Sequence, residues 1–591
     1  VAVIKTPGQA TVRRLVAGAL TGLLTAAVAL GVAELAASLI SASSAPVIAV
    51  GETAINLTPI PVKEFAITHF GSHDKEALLA GIVVMLIGFA AVIGIAAVRR
   101  IAYGLAGLAV FAFVGMAAAI HLPTATAVDV IPTLAGVAVG AVAMVMLTRA
   151  VWEAYPPAAM SSASSAPLPS AAGASVLPDA ETPGTVSSTP GAVSSEDVPA
   201  ASSEGVLAGS PYLGDLSPNA RGTQGPRLAA AAPDRRRFLI TGAGAAAVAA
   251  IAGGTGDKLL GRFSIASSRA QVRLPAPAIR AAAVPAGTEL RIPGLTPFFT
   301  SNASFYRVDT DLVLPQVSPD NWTLKIDGMV DRELEFSFDE LLKMPLTEAD
   351  ITLVCVSNQV GGTYNGNARW LGVPLAGLLR KAGVKAGTNQ VLSTSTDGMT
   401  ISTPVAAIMD GPSLHGPSAL LAVGMNGQPL PIAHGFPARM IVPGLYGYVS
   451  ATKWVTKLTL TTFAAQKAYW TQRGYSAQAP IKTESRIDVP KPLSQVKAGR
   501  IAVAGVAWAP ATGIAAVEVN VDNGPWQHAT LAAADGLDTW RQWMWAWDAQ
   551  PGLHTLQVRA TDSNGVTQTS ARTNPVPNGA SGWDSTVVTV T

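Results

Sequence analysis

Charge is scarce in this sequence: only 13% of the 591 residues are charged, and 40 Lys+Arg stand against 38 Asp+Glu. The resulting net charge of +2 gives no basic field for a phosphate backbone, and aromatics at 6% leave few platforms for stacked bases, so nucleic acid is not an expected partner. Cysteine occurs once, at Cys355. That excludes an intrachain disulfide, an iron-sulfur cluster held by the chain's own thiolates, and a multi-cysteine zinc site. What the chain has in excess is apolar surface, with 49% hydrophobic residues and a mean hydropathy of +0.36. A chain this long exceeds one domain, and part of it belongs in lipid.

Four apolar runs have the length a helix needs to cross a bilayer, at about 16–40, 77–98, 101–120 and 130–147, and a shorter fifth at 238–254 is rich in Ala and Gly. Basic residues flank them on one side: Lys5, Arg13 and Arg14 before the first, Arg99 and Arg100 between the second and third, Arg149 after the fourth, and Arg235, Arg236 and Arg237 before the fifth. Cytoplasmic flanks collect Lys and Arg, so everything after about residue 256 is expected outside the cytoplasm. Residues 151–234, dominated by Ala, Ser, Pro and Gly, offer little to bury and read as a disordered cytoplasmic linker. The run Asp234-Arg-Arg-Arg-Phe-Leu-Ile240 resembles a twin-arginine export signal, although it is internal, and such a route carries proteins already folded around a cofactor.

Strand-like alternation and Gly/Pro/Asn/Asp turns begin near Pro293. Ile351-Thr-Leu-Val-Cys-Val-Ser-Asn358 reads as a buried strand ending in a polar turn, where a lone Cys is either a small core residue or a ligand. Farther on come Arg369-Trp-Leu-Gly-Val-Pro-Leu375, Met425-Asn-Gly-Gln-Pro-Leu-Pro431, His434-Gly-Phe-Pro-Ala-Arg439 and Val442-Pro-Gly-Leu-Tyr-Gly447. In this order, from about Pro293 to the end of the chain, these motifs resemble the sulfite-oxidase family of molybdopterin enzymes.

The resemblance implies a molybdenum-molybdopterin (Mo-molybdopterin) cofactor with Cys355 as the protein's metal ligand. A soft thiolate suits that metal, and the pterin brings the other sulfurs. It places His434 and Arg439 against the pterin and its phosphate, and Asp397 at a further cofactor position or in a turn. Ser450, Ala451, Thr452 and Lys453, in the run ending at Trp454, match a cofactor-binding stretch that lies one residue farther from Arg439 than in the family. Asn302, Phe305 and Tyr306 have the Asn-x-x-Phe-Tyr form of a sulfoxide-reducing branch and are then cofactor contacts. Sulfite-oxidising members carry an Arg soon after the Cys, whereas this chain has Asn358-Gln359-Val360; Arg307 could supply the charge, and Tyr446 a pocket hydroxyl. The expected substrate is a small oxyanion or oxide.

Residues 487–591 show period-two stripes, Val517/Val519/Val521, Trp543/Trp545/Trp547 and Leu556/Val558/Ala560, with Asp-Asn-Gly and Asp-Ser-Asn-Gly turns. They read as a sandwich whose Trp stripe is core rather than a carbohydrate platform, and the resemblance implies an immunoglobulin-like dimerisation domain, hence a homodimer. His69, His73 and His121 lie at or beyond the outer ends of the helices and Glu34 near one; they are expected to be loop or interface residues, with electrons passing to a separate redox partner.

The expected architecture is therefore multidomain. It comprises an α-helical membrane region (four spans in 1–150, a fifth with the signal in 235–258), an α+β sulfite-oxidase-like molybdopterin domain over 259–486, and an immunoglobulin-like β-sandwich over 487–591. A tethered, non-catalytic adhesion protein is the alternative of another class.

Overall fold

A computed structural model describes residues 9–70, 74–122, 125–155, 235–261, 264–409 and 419–591. The expected linker lies, beyond its first residues, outside the described residues, as does His73.

The first part is helical: α1 (Gln9–Ala37), α2 (Pro46–Leu57), α3 (Ile60–Phe70), α4 (Asp74–Arg99), α5 (Ile101–His121), α6 (Ile131–Ala154) and α7 (Arg235–Leu260). Five of these, α1, α4, α5, α6 and α7, are long and apolar enough to cross a membrane. Much of their large apolar surface stays exposed, including Phe89, Phe113 and Ile251, as in helices that face lipid. The helices approach one another through small residues: a Cβ on Gly22 or Gly94 would collide with the backbone of the facing helix. Between α1 and α4, where His69 is expected in a loop, the chain instead forms α2 and α3. Pro46 opens α2, where a missing N–H costs nothing, and Pro61 sits in the first turn of α3, so His69 is helical. Hydropathy missed these helices because they are too short to register as spans.

The remainder is β-rich. One sheet holds β1 (Thr323–Gly328), β2 (Leu334–Ser337), β5 (Gln390–Ser395), β6 (Thr400–Pro404) and β10 (Val455–Thr461), in the order β2-β1-β10-β5-β6 with β1 and β10 parallel. A second holds β3 (Thr347–Val354), β4 (Asn365–Pro374), β7 (Leu420–Met425) and β8 (Gln428–Pro429), with β9 (Arg439–Ile441) beside β7. β3 and β4 are buried along most of their length, and β7, buried throughout, is a continuous apolar run.

At the C-terminal end β11 (Glu484–Val489), β13 (Gly499–Trp508), β16 (Thr530–Leu531) and β17 (Arg541–Ala549) form one sheet. The facing sheet contains β12 (Gln495–Val496), β14 (Ile514–Val521), β15 (Gln527–His528), β18 (Gly552–Asp562) and β19 (Asp584–Val590). Val503, Trp543 and Trp547 from one meet Val517, Val519, Leu556 and Val588 from the other in a single core, with Trp545 packed against it. The Trp stripe is thus core, as its period-two spacing implies. Trp508 and Trp540 join instead the core of the preceding domain, so the two units share an apolar boundary.

Candidate cofactor site

Cys355 stands one residue past β3, where its N–H still donates to the Tyr364 carbonyl at 2.9 Å. The chain then turns: Asn358 Oδ1 accepts from Tyr364 N at 2.8 Å. Arg486, arriving from β11, holds the far side of the turn by donating to the Gly362 carbonyl (2.6 Å) and to Asn365 Oδ1 (2.9 Å), while its Nε pairs with Asp488. The second sheet thus aims the sulfur and the C-terminal unit braces the loop that carries it. Burial pushes the Cys355 thiol up, against the Ser357 N–H, which donates to Sγ at 3.4 Å, and the Lys453 charge.

Opposite stand the residues from the turn before β9. His434 ends a short 3₁₀ turn, and Gly435 follows with φ +106°, a conformation natural to glycine. A Cβ there would sit 3.0 Å from Arg439 Cβ and 3.1 Å from Lys453 Cα, so glycine lets the two cations close on one point. Arg439 is 5% exposed; it donates to the carbonyls of His434 (3.1 Å) and Ala451 (3.4 Å), lies over the Trp370 ring, and leaves its Nε without a partner. Among the described residues no carboxylate pairs with it, and burial lowers its pKa to about 10.

His434 is held neutral: burial, then Arg439 and Lys453, bring it down to about 4. Its Nε2 lies 3.2 Å from the Asn302 carbonyl, an acceptor only, so Nε2 carries the hydrogen and Nδ1 is the acceptor. Lys453 is brought down to about 8, chiefly by burial, despite its bond to Asp309. Trp454, next in the chain, adopts φ +49°, a costly conformation for a bulky residue, fixed by its indole bond to the Ile432 carbonyl.

The 302–309 segment closes the site. Asn302 is anchored by Asn426, whose Nδ2 reaches Thr300 O and Asn302 Oδ1, both at 2.9 Å. Phe305 packs edge-on to Trp370 and His434. Burial above all pushes the Tyr306 and Tyr446 phenols up, and Cys355 in its thiolate form would add to both shifts, so they remain O–H groups. Tyr446 accepts from Lys482 N at 3.5 Å.

The geometry therefore brings together Cys355, Asn302, Phe305, Tyr306, His434, Arg439, Lys453 and Tyr446. Ser450 and Thr452 are buried behind them, Ser450 donating to the carbonyls of Leu445 and Tyr446, while Ala451 presents its carbonyl to Arg439. Arg307 is bidentate on Asp309, at 2.7 and 3.0 Å. Asp397 lies elsewhere: its Oδ1 caps Met399 N at 2.9 Å as a turn-former, and its carboxyl faces Asp311 and Glu52. Asp309, which gathers Arg307, Lys453 and Lys75, is not legible in the sequence, because Lys75 and Lys453 lie 234 and 144 residues away and partners so distant leave no periodic signal. Asn426 was legible only as an Asn-Gly hairpin turn, with φ +50° and +75° at Asn426 and Gly427.

The donor set suits an anionic, sulfur-bearing cofactor. A buried guanidinium with an orphaned Nε, a neighbouring buried ammonium and a neutral imidazole acceptor match a phosphate-bearing pterin, and the single thiol matches a soft metal.

Comparison with known proteins agrees. The family described as oxidoreductase molybdopterin binding domain matches residues 311–470. Mitochondrial sulfite oxidase of Rattus norvegicus is 27% identical over 292 residues, 42% of this chain and 52% of that protein. A nitrate reductase (NADH) of Solanum lycopersicum is 29% identical over 178 residues, 26% of this chain and 19% of that one. The chain spans about half the length of the sulfite oxidases it matches. Among solved structures, the sulfane dehydrogenase SoxCD from Paracoccus pantotrophus aligns with a TM-score of 0.43 and 23% identity, over 50% of this chain and 83% of that one. These matches support a molybdopterin oxidoreductase of the sulfite-oxidase family, with Mo-molybdopterin as the cofactor of the domain over 311–470.

Proposed function

We propose that the chain is a membrane-anchored, extracytoplasmic enzyme that moves an oxygen atom between a small substrate and its cofactor in a two-electron reaction. The observation that carries the reading is Arg439, a buried cation with no carboxylate partner among the described residues, in the cluster that contains Cys355. Leaving such a charge uncompensated costs several kcal/mol, so the site is built for an anion. The cofactor, when bound, supplies a redox centre able to give or accept an oxygen atom.

The protein's part is positioning. Arg439, Lys453 and His434 would hold the pterin and its phosphate, and Cys355 the metal, with the Ser357 N–H stabilising its thiolate. Tyr306 and Tyr446 stay protonated across the physiological range and can donate to substrate or cofactor oxygens. Burial of Arg439, Ser450 and Thr452 keeps water away from that side of the site.

The basic flanks support an orientation with the catalytic and sandwich units outside the cytoplasm, the twin-arginine-like run suits export of a folded, cofactor-loaded domain, and the sandwich is read as immunoglobulin-like and dimerising. Sulfite is the family's default substrate. A neutral oxide such as a sulfoxide is the second reading: Arg307 is matched by Asp309, and Asn358-Gln359-Val360 brings no cation after the Cys. Purified full chain assayed for sulfite oxidation with ferricyanide, and for methionine sulfoxide reduction with a reduced viologen, separates the two. Activity in neither, in a molybdenum-loaded protein, contradicts both.

A further inference from the structure

The electrons of such a reaction must leave or enter the domain, and a cavity lies where the helices meet it. Its volume is about 590 Å³, within the range of about 300–1,000 Å³ usual for small-molecule sites. Ile40 and Leu122, just beyond the ends of α1 and α5, line it with apolar surface; Glu52 of α2 and Asp311, Asp397 and Tyr469 of the catalytic domain supply polar groups. Asp311 is 8% exposed, and its Oδ2 has no hydrogen-bond donor. It faces Asp397, so the pair needs a shared proton or a ligand that donates. Specific contacts hold this boundary: Tyr469 donates to Asn56 Oδ1 at 3.0 Å, Lys63 to Tyr469 at 3.2 Å, and Lys75 to the Asp311 carbonyl at 2.6 Å.

The cavity also abuts the cofactor site. Thr396, in its wall, donates its N–H to the Trp454 carbonyl at 3.0 Å, and Asp309, two residues before Asp311, binds Lys453. One layer of residues therefore separates the cavity from the Lys453-Trp454 run.

We propose that this cavity binds the head of a lipid-soluble quinone, the redox partner of the molybdenum domain. The inference rests on the membrane-anchored redox reading above. Apolar lining just beyond the ends of two helices of spanning length suits a carrier that comes from the bilayer, and buried carboxyls would meet its oxygens. Glu52 is pushed up to about 7, first by burial and then by Asp397, and Asp311 is pushed up by the same two causes, so both can hold protons near neutrality. The balance is complete: substrate and water give the oxygenated substrate, two protons and two electrons; the quinone takes up two electrons and two protons to become quinol, the carboxyls relaying the protons. Sulfoxide reduction runs the same exchange from quinol.

The test uses the full chain in lipid nanodiscs and an azido-naphthoquinone, with cross-linked peptides mapped by mass spectrometry and menadione as competitor. The expected result is labelling in 40–56, 310–318 and 396–399, displaced by menadione and not by added phospholipid, and reduced about tenfold by Val317→Trp, which fills the cavity. Labelling elsewhere, or displacement by phospholipid alone, overturns the proposal. The labelled position is read on the unaltered chain, so the test stands even if Val317→Trp fails to fold. Ferricyanide-coupled turnover without labelling at the cavity removes this inference and leaves the proposed function. Labelling there in a chain that never holds molybdenum removes the function and not the quinone site.

Discussion

The ammonium of Lys453 lies 2.7 Å from Asp309 Oδ2, and the same carboxylate also binds Arg307 and, from the start of α4, Lys75. One carboxylate thereby joins a helix of the apolar region to the cationic wall of the candidate cofactor site. Asp309 is almost fully buried, and burial alone would raise its pKa; Lys453, Arg307 and Lys75 reverse this and hold the carboxyl well below its ordinary range.

Asp309→Asn should therefore destabilise the fold by about 3 kcal/mol, because it leaves cations gathered without their counter-charge. Because the folded carboxyl has a depressed pKa, its stabilisation is present above about pH 4 and is lost as pH falls below that. Urea unfolding of both proteins at pH 7 and pH 3 checks this: the gap between them should be wide at the first and smaller at the second, closing only as pH falls on through the depressed folded pKa.

Lys453 carries its charge below about pH 8 and loses it above. Binding of inorganic pyrophosphate by cofactor-free chain, measured by calorimetry, should weaken by up to about tenfold as pH rises from 7 to 9. Lys453→Met should bind weakly throughout and show little of that slope.

Arg439 offers an opposite pairing of effects. Arg439→Met removes an uncompensated buried charge, so the cofactor-free protein should be more stable by ~1 kcal/mol while molybdenum retention falls at least about tenfold. Thermal unfolding of cofactor-free protein and elemental analysis of loaded protein give the two readouts. Loss of stability together with retained metal would count against an anion site.

Gly435→Ala should cost about 1–3 kcal/mol, since the residue sits at φ +106° and the new methyl would press on Arg439 and Lys453. Cofactor retention should fall with it, as the two cations are driven apart.

The sequence made the lengths of the apolar helices legible because hydrocarbon thickness imposes a length that hydropathy reports directly. It made the Trp543/Trp545/Trp547 stripe legible because strand geometry imposes period two. Cys355, His434 and Arg439, proposed from their motifs, stand in local patterns: a strand end, a turn and the strand that follows. Asp309, Asp311 and Glu52 could not. Their roles depend on α2 and α4 resting on loops more than 200 residues away, and a carboxylate gives no hint in sequence of which cation it will meet. Asp397 shows the converse: its Thr-Asp-Gly turn was visible, but the carboxyl it faces lies in a different loop.

The central claim is that Cys355 binds molybdenum. Elemental analysis of full chain purified from a molybdenum-replete host, beside Cys355→Ala prepared in parallel, tests it most directly. The account predicts about one molybdenum per native chain and little or none in the variant. A native protein without the metal, or a variant that keeps its full complement, would contradict it.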